Sequence, residues 1–163
     1  MRSIIFDLDL TLVDSTIAED ARSRRDWPLV YSLIPQFRLY DGVAAVLEHI
    51  CRNGGRVAIV STAPSSYVQR VVNYFGIPVD TIVGYHDAAR KPAPDGMLLA
   101  LQRLGDTPAN AVSFGDRAID IQASNAAGIR SVACTWGTKE RFTLISSHPD
   151  AVISSPSQML NCL

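Results

Sequence analysis

Two carboxylates stand two residues apart at the end of an apolar run: Ile4-Ile5-Phe6 leads into Asp7-Leu8-Asp9-Leu10-Thr11. In an extended chain, residues two apart point to the same side. Asp7 and Asp9 can therefore face one small volume, where like charges repel unless a cation or a shared proton intervenes. Taken alone, they could equally be solvated residues in a loop after an edge strand. Further along the chain stand Ser61-Thr62, Lys91, and the pair Asp116 and Asp120. Four carboxylates drawn together favour a hard divalent cation, and oxygen-only ligands favour magnesium over zinc. Serine or threonine at a helix start can bind phosphate oxygens, and a lysine can steady a phosphate or an attacking carboxylate. As one set these residues read as a phosphoryl-transfer site.

Such a set needs elements that bring it together. Residues 3–6 read as a buried strand and 7–14 as a turn or small hairpin. From Asp41 onward helices and strands alternate. Val43, Val46, Leu47 and Ile50 share one helical face, ended by Asn53-Gly54-Gly55; Val57 to Val60 is a strand covered on both faces. Val68, Val71, Val72 and Phe75 mark a second helix, and Val79 to Val83 a third strand. Met97, Ala100, Leu101 and Leu104 mark a third helix, and Ala111 to Phe114 a fourth strand. Ile119, Ala123, Ala126 and Ala127 give a helix face of small residues before a fifth strand at 130–134. Ala151 to Ile153 reads as a short sixth strand and Ser157 to Leu160 as a terminal helical turn. The pattern predicts a Rossmann-like, doubly wound α/β fold, a mainly parallel sheet of five to six strands flanked by helices. In such sheets ligands bind at the carboxyl ends of the strands. That is where Asp7 and Asp9, Ser61 and Thr62, Lys91, and Asp116 and Asp120 fall.

Residues 15–40 carry no clean period. Ser15 could cap a short helix through Ala21, and Pro28 and Pro35 are expected to break regular structure. The segment reads as a short lid inserted into a single domain spanning 1–163. The chain has 163 residues, 47% hydrophobic, with a formal net charge of -1. That size suits one domain with its own core, and the near-neutral charge offers no general attraction for nucleic acid or membrane. Three cysteines, Cys51, Cys134 and Cys162, match no zinc spacing and are expected as small buried apolar residues. With no long apolar run, a cytoplasmic protein is expected.

Asp7-Leu8-Asp9-Leu10-Thr11, the apolar strand ending in Ser61, Lys91-Pro92-Ala93-Pro94 and Gly115-Asp116-Arg117-Ala118-Ile119-Asp120 stand in the order of four motifs. In this the chain resembles the haloacid dehalogenase superfamily on its phosphatase side, in particular its phosphoglycolate-phosphatase-like members. Asn125 to Ile129 and Thr135-Trp136-Gly137 extend the likeness. The resemblance implies that Asp7 is a nucleophile forming an aspartyl-phosphate. Asp9 would protonate the leaving oxygen and then activate water. Ser61 would bind phosphate, and Lys91 would steady Asp7 and the phosphoryl group. It implies Mg2+ held by the Asp7 carboxylate, the Asp9 backbone carbonyl and Asp116, with Asp120 and Thr11 in support. Thr62 stands where many relatives have Asn, and is expected to alter selectivity without loss of chemistry.

The main departure is the lid, far shorter than the helical cap of such relatives. This argues against a phosphomutase, which must exclude water. The substrate is then either a small phosphorylated metabolite or a bulky, macromolecular phosphate. A neighbouring subunit could complete the lid. Arg22, Arg24 and Arg25, interleaved with Trp27 and Tyr31, could contact a second anionic group or a nucleic-acid strand; equally, they could form a solvated face over a packed Trp27. Arg117 reads as a salt-bridging surface residue or a substrate contact. A catalytically weak regulatory or protein-binding module is the alternative from another class, though such a module need not keep a nucleophile and an acid together.

Overall fold

The computed structural model describes residues 2–163; Met1 lies outside them. In chain order the first elements are β1 (Ser3–Phe6), β2 (Val13–Asp14), α1 (Glu19–Ser23), α2 (Trp27–Leu33), β3 (Arg38–Leu39) and α3 (Val43–Arg52). The alternating part continues with β4 (Arg56–Val60), α4 (Ser65–Phe75), β5 (Thr81–Val83), α5 (Asp95–Leu104), β6 (Ala111–Gly115) and α6 (Ala118–Ala126). It closes with β7 (Arg130–Cys134), α7 (Arg141–Ser146), β8 (Ala151–Ile153) and a 3-10 helix, Pro156–Cys162.

Six strands pair in parallel in the order β5-β4-β1-β6-β7-β8. Side chains alternate across β1. Ile4 and Phe6 enter one apolar layer with α3, α4 and the chain's end, while Ile5 faces the other with α5 and α6. Both faces are covered, which is why the strands read as unbroken apolar runs. The fold is the doubly wound α/β sheet expected. The strand order reverses between β1 and β6, and this is the crevice where such sheets bind ligands.

Segment 15–40 is better ordered than its sequence suggested. Ser15 makes no cap bond. Pro28 and Pro35 occupy the first turns of α2 and of the 3-10 helix Ile34–Gln36, so they open helices instead of breaking them. Ala18, Ala21, Val30, Ile34 and Phe37 pack into the same layer as α3 and α4. The third strand begins at Thr81, not Val79. Pro78 lacks a donor, and Asp80 instead exchanges bonds with Val57, its backbone N–H donating and its carboxylate accepting from Val57 N at 2.7 Å. The final helix is longer than expected, and α7 was not expected. Cys134 and Cys162 are buried, but Cys51 is exposed on the outer face of α3, a correction to its reading. No helix of the described residues is long and apolar enough to cross a membrane.

At the end of the sheet away from the site, Asp106 fastens the starts of β1 and β4. It accepts from Ser3 Oγ, Thr107 N and Asn110 Nδ2, and pairs with Arg56 at 3.1 Å. The Ser3 hydroxyl above all, with Thr107 N, Asn110 and Arg56, holds its carboxyl down at about 2. A depressed acid stabilises the fold above its unfolded value, and that contribution is lost as pH falls through the folded one. Asp106→Asn is therefore expected to cost about 1–2 kcal/mol at neutral pH. The gap to the parent protein should close between about pH 4 and pH 2. Denaturant melts at stepped pH check this; a gap that stays constant refutes it.

Candidate active site

β1 ends at Phe6, and Asp7 continues its ladder by donating its N–H to Phe114 O at 2.9 Å. This places Asp7 beside the exit of β6, where Gly115-Asp116 follows. Carboxylate oxygens of Asp7, Asp116 and Asp120 lie within 4.8 Å of one another. Thr11 Oγ1 donates to Asp116 at 3.1 Å. Burial first, then the charges of Asp7 and Asp120, push the Asp116 carboxyl up to about 9. Three crowded carboxylates form the oxygen-only donor set a hard divalent cation fits.

Lys91 balances part of this charge. Its buried ammonium donates to Asp7 Oδ1 at 2.9 Å, Val60 O at 2.9 Å and Asp120 Oδ1 at 2.5 Å. All three of its protons are used. Burial alone would lower it, but Asp120 and Asp7 outweigh that and hold it above its ordinary value. The other oxygen of Asp120 accepts from Arg117 N at 3.0 Å. Asp120 is thus committed to Lys91 and the start of α6. Its side chain runs so close over Gly115 that a Cβ there would lie 2.3 Å from Asp120 Cβ. Glycine is the residue that lets the helix acid fold back onto the strand end.

Asp9 shares the cavity but faces elsewhere. Its carboxylate accepts from Ser15 Oγ at 2.5 Å and Tyr67 OH at 2.6 Å, and pairs with Arg22 at 2.7 Å. Burial and the Asp9 charge hold the Tyr67 hydroxyl well above the usual phenol range, so it is a donor at any ordinary pH. The Asp9 carbonyl stays out of the local backbone pairing: Leu10 N donates to Val13 O and Val13 N to Leu8 O, straddling it. The loop is clamped from the far side by the residues after β7. Trp136 Nε1 donates to Thr11 O at 3.0 Å, and a Cβ on Gly137 would lie 2.2 Å from Leu10 O.

Ser61 and Thr62 line the same cavity at the exit of β4, with Ser61 Oγ accepting from Ala63 N at 3.0 Å ahead of α4. The cavity, about 1040 Å³, holds Asp7, Asp9, Ser61, Thr62, Lys91, Asp116 and Asp120. Its mouth is bounded by Arg22, Arg25 and Trp27 from the 15–40 segment. The three arginines of that segment have separate fates. Arg22 meets Asp9, Arg24 pairs with Asp20 in solvent, and Arg25 reaches the mouth. Trp27 packs on Tyr67, 5.6 Å between ring centroids. Arg117 is exposed at the mouth, as a surface residue, but forms no ion pair among the described residues, so the salt-bridging part of its reading is corrected. Nothing in the sequence pattern marks Ser15 or Tyr67 as site residues. Tyr67 lies next to Val68 on the buried side of α4, where only its need for a hydroxyl partner sets it apart from core.

A six-stranded parallel sheet with carboxylates and a buried lysine at its switch point defines a class of hydrolase-like α/β domains. Residues 28–128 match the haloacid dehalogenase-like hydrolase family, and the chain belongs to it. It is 31% identical over 125 residues to pyrophosphatase PpaX of Bacillus velezensis, covering 75% of this chain and 58% of that one. It is 32% identical over 129 residues to a phosphoglycolate phosphatase of Haemophilus influenzae, covering 77% and 58%. The chain thus spans a little over half the length of these curated relatives. A haloacid dehalogenase-like protein from Streptococcus pneumoniae superposes with a TM-score of 0.84 at 23% identity, covering 99% and 98% of the two chains. CbbY from Rhodobacter sphaeroides, in complex with phosphate, gives 0.82 at 21%, covering 98% and 96%.

Proposed function

We propose that the chain is a magnesium-dependent phosphatase that hydrolyses phosphomonoesters through an aspartyl-phosphate on Asp7. The observation that carries this is Asp7 itself: a carboxylate held by a buried lysine, against two further acids, at the floor of a cavity. Asp7 Oδ1 is fixed by Lys91, which orients the carboxylate for attack on phosphorus. The P–O bond to the leaving group breaks as the Asp7–phosphorus bond forms, and water later cleaves the acyl phosphate to return Asp7. Ser61 and Thr62 bind the phosphoryl oxygens from the side of α4. Asp7, Asp116 and the Asp9 carbonyl would hold the magnesium, with Thr11 and Asp120 steadying them. Bound there, the ion would offset the negative charge of the phosphoryl group.

Three donors, Ser15 Oγ, Tyr67 OH and Arg22, meet the Asp9 carboxylate. One of them lets go as substrate enters, Asp9 takes up a proton from solvent and gives it to the leaving oxygen, and the freed carboxylate then takes a proton from the water that cleaves the acyl phosphate. Segment 15–40, which supplies two of these donors, serves as a lid within the one domain. Sharing of the homologues' names, PpaX and phosphoglycolate phosphatase, supports a phosphorylated substrate. The cytoplasm, where free thiols stay reduced, is the proposed location.

The deciding measurement is hydrolysis of an aryl phosphate. It should require magnesium, stop on chelation, and leave an acyl phosphate that hydroxylamine traps on the Asp7 peptide. No turnover across a broad phosphate panel, with tight binding of a protein partner, would favour a binding module instead. Tyr67→Phe keeps the ring against Trp27 and loses only the donor to Asp9. It is expected to fold normally and lose about 10-fold to 100-fold in kcat with KM little changed. Steady-state kinetics check this, and an unchanged kcat would remove Tyr67 from the site.

A further inference from the structure

We propose that Trp136 is a positioning residue of the metal site. From behind the cavity wall it holds the stretch that presents the Asp9 carbonyl and steadies the Asp116 carboxylate, and so sets how tightly a divalent cation binds. The proposal rests on the metal set and the phosphatase reading above.

One route runs through Thr11, which is fully buried. Its carbonyl accepts from Trp136 Nε1 at 3.0 Å and from no other group among the described residues. Its hydroxyl donates to Asp116 at 3.1 Å. A buried carbonyl that loses its one donor is left unsatisfied or moves to find another. The hydroxyl on the same residue moves with it. The indole therefore acts on Asp116 through a single intervening residue.

A second route runs through Leu10. Its φ of 64° lies in the left-handed region, where a residue with a Cβ is strained. In that turn Leu10 N donates to Val13 O at 2.8 Å and Val13 N to Leu8 O at 3.2 Å, which leaves the Asp9 carbonyl between them with no donor among the described residues. Such strain persists where neighbours fix it. Gly137 is one of them. Its φ is not positive, so it is glycine for another reason: a Cβ would lie 2.2 Å from Leu10 O and 2.6 Å from Tyr40 OH. Trp136 and Gly137 thus press and bond the two residues that follow Asp9, although neither lines the cavity.

The clamp has a firm base. Thr135 donates to Ile153 O from its N–H at 3.0 Å and its hydroxyl at 3.2 Å, which ties the loop to β8. The Trp136 ring meets Tyr40 edge-on, 6.4 Å between centroids, and Tyr40 N donates to Leu12 O at 3.1 Å. Further along the same loop, Glu140 accepts from Ala118 N at 2.9 Å, two residues after Asp116. One loop after β7 grips both stretches that carry metal donors.

Trp136→Phe keeps an aromatic ring beside Tyr40 and removes the N–H. Manganese, which shares magnesium's preference for oxygen and can be counted free in solution by electron paramagnetic resonance, is the binding probe. The variant, held below its own melting temperature, should bind it about tenfold more weakly than the parent. Half-saturating magnesium for aryl phosphate hydrolysis should rise by a similar factor, with kcat at saturating magnesium and KM for the ester little changed. Thr11→Val should also weaken manganese binding. Adding Trp136→Phe to it should then cost less than in the parent, because both act through one residue. Gly137→Ala, which displaces Leu10 by a different contact, is expected to weaken binding as well. Unchanged manganese binding in Trp136→Phe, or in Gly137→Ala if the first does not fold, overturns the proposal, and the phosphatase stands if the parent turns over the ester. Weaker binding in the variant with no turnover of any ester by the parent supports the positioning role and overturns the phosphatase. A parent that neither binds manganese nor responds to magnesium overturns both.

Discussion

Asp7→Asn is expected to hydrolyse an aryl phosphate at least about 10⁴-fold more slowly than the parent chain. An amide oxygen is a poor nucleophile toward phosphorus, and no neighbour can replace it: Asp120 is taken by Lys91 and Arg117 N, and Asp116 by Thr11. The variant should nonetheless fold. Asparagine keeps an acceptor for Lys91, and one negative charge fewer relieves Asp116, so stability should move by no more than about 1 kcal/mol. Single-turnover kinetics beside a thermal melt check both halves. Residual activity near the parent's would show that another group attacks. An unfolded variant would show that Asp7 is chiefly structural.

Lys91→Met is expected to fail in the opposite way. Its volume is close to lysine's, but it donates to none of Asp7, Val60 O and Asp120. Removing one member of a buried charge network leaves the others uncompensated, at about 3–5 kcal/mol. For a chain of this length that lowers the melting temperature by roughly 10 °C. Added magnesium should recover part of the loss by restoring positive charge among the acids. Lys91→Arg should not rescue it, since a rigid planar guanidinium does not reproduce the ammonium's three bonds to Asp7, Val60 O and Asp120. Melts with and without magnesium decide this. Equal stability of Lys91→Met and the parent would mean that the network contributes nothing to the fold.

How much of this was readable in the sequence depended on how local each signal is. Asp7, Ser61 and Asp116 each follow a strand whose apolar run is unbroken, and a parallel sheet carries such residues to one edge. Lys91 was legible as a charge in the loop before α5, though not as the centre of a three-acceptor bond set. The donors to Asp9 were hidden. Ser15 looked like a cap, Arg22 like one of three equivalent arginines, and Tyr67 sat next to the core valines of α4. What distinguishes Tyr67 is a partner 58 residues away in sequence, and periodicity carries no trace of that. Helix α7 was invisible for another reason. Only Leu144 of it is buried and Phe142 is 85% exposed, so it presents no apolar face to detect.

The small antiparallel pair β2–β3 matches Val13 with Leu39 and Asp14 with Arg38, so the chain leaves the loop after β1 and returns at one place. The stretch between is still no detachable part: Ala18, Ala21, Val30, Ile34 and Phe37 pack into the layer of α3 and α4, and Ser15 and Arg22 hold Asp9. Exchanging it would change the roof of the cavity and the surroundings of Asp9 in one stroke, while Asp7 kept its bond to Lys91. Any new roof would have to bring its own donors for Asp9 and its own apolar face for the sheet.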